Sequence, residues 1–210
     1  MIHSLLYSLP LALLSSSAFH RAPAPAVPTV DFALATSSSS EGVLTVNVAV
    51  QLDVADASDV IIPFTLAGTA IGPDDYSHAA SPLTILAGDT TADLVFTIVS
   101  DALDEDDETI QITLGAPTNG LLGTTVVHTL TVQDDDAAPT ADFTLAANAA
   151  GEGTGSALAT VQLSAASGLD VVIPYTLAGT AVDPDDYSIE ASPITILAGD
   201  TSADITITLV

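Results

Sequence analysis

Leu44-Thr45-Val46-Asn47-Val48-Ala49-Val50-Gln51-Leu52 places an apolar residue at every second position, with polar or small residues between. A period of two is that of a β-strand with one face on a core. The pattern recurs where Leu94, Phe96 and Ile98 alternate with Asp93, Val95 and Thr97, and where Ile110, Ile112 and Leu114 alternate with Gln111 and Thr113. Shorter strands are expected at 30–35, 59–66, 82–86 and 125–132. Turn residues punctuate them: Gly72-Pro73-Asp74-Asp75, Ala87-Gly88-Asp89 and Pro117-Thr118-Asn119-Gly120. No segment carries a sustained helical stripe. Seven short strands in about 105 residues predict an all-β, immunoglobulin-like antiparallel β-sandwich.

The sequence also repeats itself. Val60-Ile61-Ile62-Pro63-Phe64-Thr65-Leu66-Ala67-Gly68 returns as Val171-Val172-Ile173-Pro174-Tyr175-Thr176-Leu177-Ala178-Gly179, and Pro73-Asp74-Asp75-Tyr76-Ser77 as Pro184-Asp185-Asp186-Tyr187-Ser188. The offset is 111 throughout, and 29 of the 41 positions from 59 to 99 are identical in the second copy. A period of that length is a whole domain, too long for a solenoid unit. Val210 is the counterpart of Val99, so the second copy is expected to be incomplete, as in a piece of a longer array. The predicted organisation is a leader and Pro-Ala linker at 1–28, repeat 1 at 29–136, a linker at 137–141 and a truncated repeat 2 at 142–210.

Charge narrows the function. One Lys or Arg stands against 27 Asp and Glu, for a net charge of −26. Such a surface has nothing to neutralise phosphates with, so neither nucleic acid nor an anionic membrane is an expected partner. The chain has no cysteine, which excludes disulfides, thiolate nucleophiles and zinc–thiolate or iron–sulfur sites. Near the N-terminus, the apolar run Leu5–Leu14 followed by Ser15-Ser16-Ser17-Ala18 reads as the h-region and cleavage site of a secretory signal, although the n-region carries only His3. A mis-set start or the remnant of a longer chain is the alternative. The run is too short to span a membrane.

The acids themselves are patterned. Six carboxylates fall within Asp101-Ala102-Leu103-Asp104-Glu105-Asp106-Asp107-Glu108. Successive antiparallel strands run in opposite directions, so the connections after the first, third and fifth strands and the tail after the seventh emerge at one end. Glu41, Asp74 and Asp75, the 101–108 run, and Asp134-Asp135-Asp136 occupy those four connections. The opposite end holds Asp53, Asp56, Asp59 and Asp89. A pole of a dozen carboxylates without a basic residue calls for a cation. Calcium, which takes six to eight oxygens in flexible geometry, suits ligands from several loops better than magnesium does. An EF-hand does not fit, because Thr109 and Gly115 stand where a loop starting at Asp104 needs glycine and glutamate.

The ordered set Gly68-Thr69-Ala70, Asp75-Tyr76, Ile85-Leu86-Ala87-Gly88-Asp89-Thr90, Asp101 with Glu105–Glu108, and Thr131-Val132-Gln133-Asp134-Asp135-Asp136 resembles the Calx-beta domain, known from sodium/calcium exchanger regulatory loops, integrin β4 and large bacterial surface proteins. The resemblance covers 30–136 fully and 141–210 in part. It implies an immunoglobulin-like sandwich that binds Ca2+ at its distal loops. By position it assigns Glu41, Asp75, Asp101, Glu105, Glu108, Asp134, Asp135 and Asp136 as ligands in repeat 1. In repeat 2 it assigns only Glu152 and Asp186, an incomplete site. Exchangers tend to carry an acid where this chain has Ser100, which implies fewer ions or lower affinity. The expected function is non-catalytic: a calcium-binding structural or adhesive repeat of a secreted or cell-surface protein, with neighbouring repeats, and a surface protein or glycan, as partners. The alternatives are an adhesin module with a salt-adapted acidic surface and no specific calcium site, and a solvated acidic loop. Paired carboxylates also admit glycoside hydrolysis, but aromatics are scarce at 4% and Trp is absent.

Overall fold

The computed structural model describes residues 26–210; the signal-like run and most of the Pro-Ala linker lie outside the described residues. Repeat 1 is a sandwich of two sheets. Strands β1 (Thr29–Phe32), β3 (Thr45–Leu52), β6 (Tyr76–His78), β8 (Thr91–Ile98) and β10 (Leu121–Leu122) form one, in the order β10-β1-β3-β8-β6. Strands β2 (Thr36–Ser40), β5 (Phe64–Gly68), β9 (Glu108–Leu114) and β11 (Val127–Gln133) form the other, in the order β2-β11-β9-β5. A ribbon of β4 (Val60–Ile62) and β7 (Leu83–Ile85) flanks them.

The predicted alternation is the observed burial. Val48, Val50 and Leu52 of β3 and Leu94, Phe96 and Ile98 of β8 face Ile110, Ile112, Leu130 and Val132 of the second sheet in one apolar core. The sandwich is therefore all-β and immunoglobulin-like, as the sequence predicts.

Several features, the short β10 beside β1 among them, were not in that reading. The stretch 59–66, expected as one strand, breaks at Pro63. Proline has no N–H for a ladder, so β4 pairs with β7 on one side of the break and β5 crosses to pair with β9 on the other. Thr36–Ser40 has no apolar alternation, yet it runs parallel to β11 as an edge strand. Tyr76–His78 is a short strand on the edge of β8. His128 is buried beside Phe32, 2.7 Å by Nδ1 from the Leu34 carbonyl and 2.8 Å by Nε2 from the Ser37 hydroxyl. His78, exposed, lies against Phe64, Tyr76 and Phe96.

Repeat 2 copies this plan at the 111 offset. Strands β13 (Ser156–Leu163), β14 (Val171–Ile173), β15 (Tyr187–Ile189), β16 (Ile194–Ile196) and β17 (Ser202–Leu209) sit 111 residues after β3, β4, β6, β7 and β8. With β12 (Ala141–Phe143) they build one sheet, β12-β13-β17-β15, and the ribbon β14-β16. Val161, Leu163, Ile196 and Ile205 form its small core. Among the described residues the second sheet has no counterpart.

A candidate cation site at the acidic pole

Strand register, more than loop length, assembles the acidic pole. Parallel pairing of β2 with β11 ends at Ser40 opposite Gln133, and the Glu41 N–H donates to the Gln133 carbonyl at 2.9 Å. Glu41 is thereby set beside Asp134–Asp136. Pairing of β6 with β8 places Tyr76 opposite Ile98, and the Val99 N–H donates to the Asp75 carbonyl at 2.8 Å. Glu108 opens β9 opposite Val132 of β11. Asp101 lies beyond the end of β8, after Val99 and Ser100, in a turn closed by the Leu103 N–H on its Oδ1 at 2.8 Å.

The outcome is a cavity of about 30 Å³ lined by Glu41, Asp75, Asp101, Glu105, Glu108 and Asp134, with Asp74 and Asp106 at its wall. Carboxylate oxygens of Glu41, Asp101 and Asp136 all lie within 4.8 Å of one another. Glu41 Oε1, Asp134 Oδ1 and Asp136 Oδ2 are buried without a hydrogen-bond partner.

Unpartnered buried carboxylate oxygens are costly, and the protonation of the site registers that cost. Burial, then the charges of Asp101, Asp134 and Asp136 and close contact with Asp136, push the Glu41 carboxyl up from 4.5 to about 7. Two carboxylates can share such a contact only through a proton or a cation. Burial also lifts Glu108 from 4.5 to about 7, with Asp75 next through charge and contact, and Glu105 and Glu41 behind. Glu105 is raised by burial and then by Asp101, Asp75 and Asp134. The described residues contain no Lys or Arg to relieve any of this.

This donor set fits a hard divalent cation. It offers only oxygen, several carboxylates converge without partners of their own, and the cation would supply the missing charge. Of the eight acids assigned in repeat 1, seven meet at this pole. Asp135 is turned outward, where its carboxylate accepts from the Ser40 hydroxyl. Three acids outside the assigned set also take part: Asp74 and Asp106 in the wall, and Asp107, whose Oδ1 accepts the Asp134 N–H at 3.2 Å. At the opposite end the acids serve as turn caps, Asp53 on the Thr29 N–H at 2.7 Å and Asp59 on the Ala87 N–H at 2.9 Å.

In repeat 2, Glu152 and Asp186 are exposed. Glu152 begins a 3-10 turn, Glu152–Thr154, and Asp186 Oδ2 closes its own turn on the Val182 N–H at 2.8 Å. The structure does not bring them into a cluster of three among the described residues.

The family comparison adds to this geometry. A Calx-beta domain model matches residues 25–136 and again 134–210. The chain belongs to the Calx-beta family. No curated protein matches it. Among solved structures, this Calx-beta chain is similar to the calcium binding domain CBD12 of CALX1.1, with 20% identity over 86% of this chain and 75% of that one and a TM-score of 0.48. It is similar to the apo form of the Calx CBD1 domain, with 20% identity over 53% of this chain and all of that one and a TM-score of 0.48. Similarity to the Calx CBD2 domain is 14% identity over 51% and 86%, with a TM-score of 0.47.

The acidic loop of this Calx-beta repeat also touches its neighbour. The Gly168 N–H donates to the Asp104 carbonyl at 3.0 Å, and the Ser167 hydroxyl lies 3.2 Å from both that carbonyl and Asp104 Oδ2. Ser167 is buried. A Cβ on Gly168 would fall 2.5 Å from Glu105 Oε1, so glycine there lets the turn of repeat 2 approach the cavity wall.

Proposed function

We propose that this chain is a non-catalytic, calcium-binding structural repeat. Ca2+ at the acidic pole of repeat 1 neutralises the converged carboxylates and fixes the joint to repeat 2. The observation that carries the reading is the set of buried, unpartnered oxygens on Glu41, Asp134 and Asp136, in a region with no basic side chain. Glu41 and Asp136 belong with Asp101 to a trio whose carboxylates lie close enough to reach a single ion. Glu108, Asp75 and Glu105 supply the remaining oxygens of the cavity, while Asp135 stays with Ser40. The contact from Asp104 to Ser167 and Gly168 gives the rigidifying role a physical route, because ordering the 101–108 loop orders the segment that holds the next repeat. A secreted or surface setting, where calcium is near millimolar, suits an affinity of about 10⁻⁴–10⁻³ M.

Calorimetric titration of the full chain with calcium, after chelator treatment, tests the reading. Saturable binding at low salt, reversed by chelator and accompanied by a raised melting temperature, is expected. Equal stabilisation by sodium chloride alone overturns it in favour of a salt-adapted surface.

A further inference from the structure

Glu41 reaches the acidic pole at the end of a strand that has no apolar anchor. Strand β2 reads Thr-Ser-Ser-Ser-Ser, and none of its residues is buried. Ser37 and Ser39 occupy its inward positions, and Glu41, buried, is the next residue on that side. A polar strand of this kind specifies its register weakly. A slip of one residue along β11 would turn Glu41 outward, but a slip of two keeps the face. It would put Ser39 opposite Leu130, where Ser37 now stands, and draw Glu41 back by about 7 Å.

Repulsion favours that withdrawal. Glu41 Oε1 is buried without a hydrogen-bond partner, and its carboxylate lies within 4.8 Å of those of Asp101 and Asp136. Like charges at that separation oppose one another, and a two-residue slide separates them without reversing the strand. Something must therefore hold β2 from its other end. The strand begins after the bend Ala33–Ala35, where the chain leaves the sheet of β1 for that of β11. Buried His128 of β11 grips this bend: Nδ1 lies 2.7 Å from the Leu34 carbonyl oxygen and Nε2 2.8 Å from Ser37 Oγ. A carbonyl only accepts, so Nδ1 carries the hydrogen and Nε2 accepts from the Ser37 hydroxyl. Phe32, fixed in the core, backs the ring at a centroid distance of 5.4 Å. In a slide Ser39 could replace Ser37, but the bend would have to take up two more residues and the Leu34 carbonyl would leave Nδ1. The Ser40 bond to Asp135 lies at the far end, within the acidic tail itself.

We propose that His128 is a positioning residue of the cation site: by holding the Leu34 bend and Ser37, it keeps β2 in the register that delivers Glu41 to Asp101 and Asp136. The inference rests on the cation reading of the pole. His128 does not line the cavity and acts through Glu41. Where the register is loose, apparent affinity falls by the fraction of molecules that hold the competent state.

The test exploits a chain without cysteine. Ser38 stands opposite Thr131, and the slide would bring it opposite Thr129. Cysteine pairs at Ser38/Thr131 and at Ser38/Thr129, oxidised in chelator in the full chain, read the two registers, because a disulfide does not bridge Cα atoms more than about 7 Å apart. With His128 present, the first pair should close and the second should not. His128→Phe keeps a ring against Phe32 and drops both bonds; it should close the second pair and weaken calcium binding about tenfold. Closing the first pair in His128→Phe should restore the affinity, which a fold that is merely destabilised would not show. Should the ring exchange unfold the chain, Ser37→Ala reads the same point from β2. Ser39 then offers the inward hydroxyl, so the second pair should close, and adding Ser39→Ala should stop it. The observed register persisting in both His128→Phe and Ser37→Ala overturns the proposal, as does a slipped register with unchanged affinity. If the unsubstituted chain binds no calcium, the cation reading fails by itself, and the crosslinks still confirm or overturn the hold of His128 on the register.

Discussion

Neutralising Glu41 should stabilise the metal-free protein and abolish its response to calcium. The metal-free fold holds the Glu41 proton more tightly than the unfolded chain does, since its carboxyl is pushed from 4.5 to about 7. Stability from this group is therefore complete below pH 4.5 and is lost as the pH rises through about 7. A difference of 2.5 units at about 1.4 kcal/mol each makes the ionised carboxylate about 3 kcal/mol unfavourable at pH 8. In Glu41→Gln that repulsion is gone, but an amide N–H₂ enters a site crowded with acceptors at a cost of about 1 kcal/mol if it is imperfectly seated. The expected net effect is a gain of about 2 kcal/mol at pH 8 and a loss of about 1 kcal/mol at pH 4, where the repulsion is already absent. Urea unfolding of both proteins in chelator at the two pH values measures it. Calcium should then reverse the ranking at pH 8, because it stabilises only the protein that presents the carboxylate. Equal destabilisation of Glu41→Gln at pH 4 and pH 8, with calcium binding retained, would refute the placement of this group at the centre of the cluster.

Other outcomes follow from the same geometry. Asp101→Asn and Asp136→Asn should each weaken calcium binding about tenfold or more, roughly 1.4 kcal/mol, while Asp53→Ala should leave it unchanged and lower stability slightly through the lost Thr29 hydrogen bond; calorimetry and denaturation separate the two. Calcium binding near pH 6.5 should release protons from Glu41 and Glu108 and weaken as the pH falls, visible as a buffer-dependent binding enthalpy. Gly168→Val should prise the repeat 2 turn from Glu105 without removing a ligand, leaving affinity near its original value while the two repeats unfold in separate transitions. Gly68→Ala should destabilise repeat 1 by about 3–5 kcal/mol, through the Thr109 carbonyl clash and a positive φ together, whereas Gly179→Ala should cost only the backbone strain of about 1–3 kcal/mol.

The sequence was legible where burial is one-sided. β3, β8 and β9 were found because one face of each meets the core, and period-two burial leaves a period-two pattern. Thr36–Ser40 was not, because its place rests on main-chain bonds to β11, and main-chain bonds leave no trace in side-chain polarity. The break at Pro63 did have a signal, since proline is a poor tenant of a strand paired on both sides. At the pole, strand direction was enough to collect the acids from four connections. It could not separate Asp135 from Asp136. The backbone that leaves β11 sends one carboxylate to Ser40 and the next into the cluster, and nothing in a run of three identical residues records that alternation.

The segments Phe64–Gly68 and Tyr175–Gly179 bring the same limit to the fold itself. Four of their five residues are identical, the fifth is one aromatic for another, and both follow a proline. One is the edge strand beside β9 and the other is irregular. Local propensity is the same in both, so it does not decide the outcome; the presence of β9 does. The glycine shows the direction of cause. Gly179 holds the positive φ of Gly68 with no neighbour within 4 Å to require it. The turn geometry is therefore written into the local sequence, and the ladder is not. In repeat 1 the acidic pole depends on the same partner, because the ends of β9 and β11 carry Glu108 and Asp134 into its cavity.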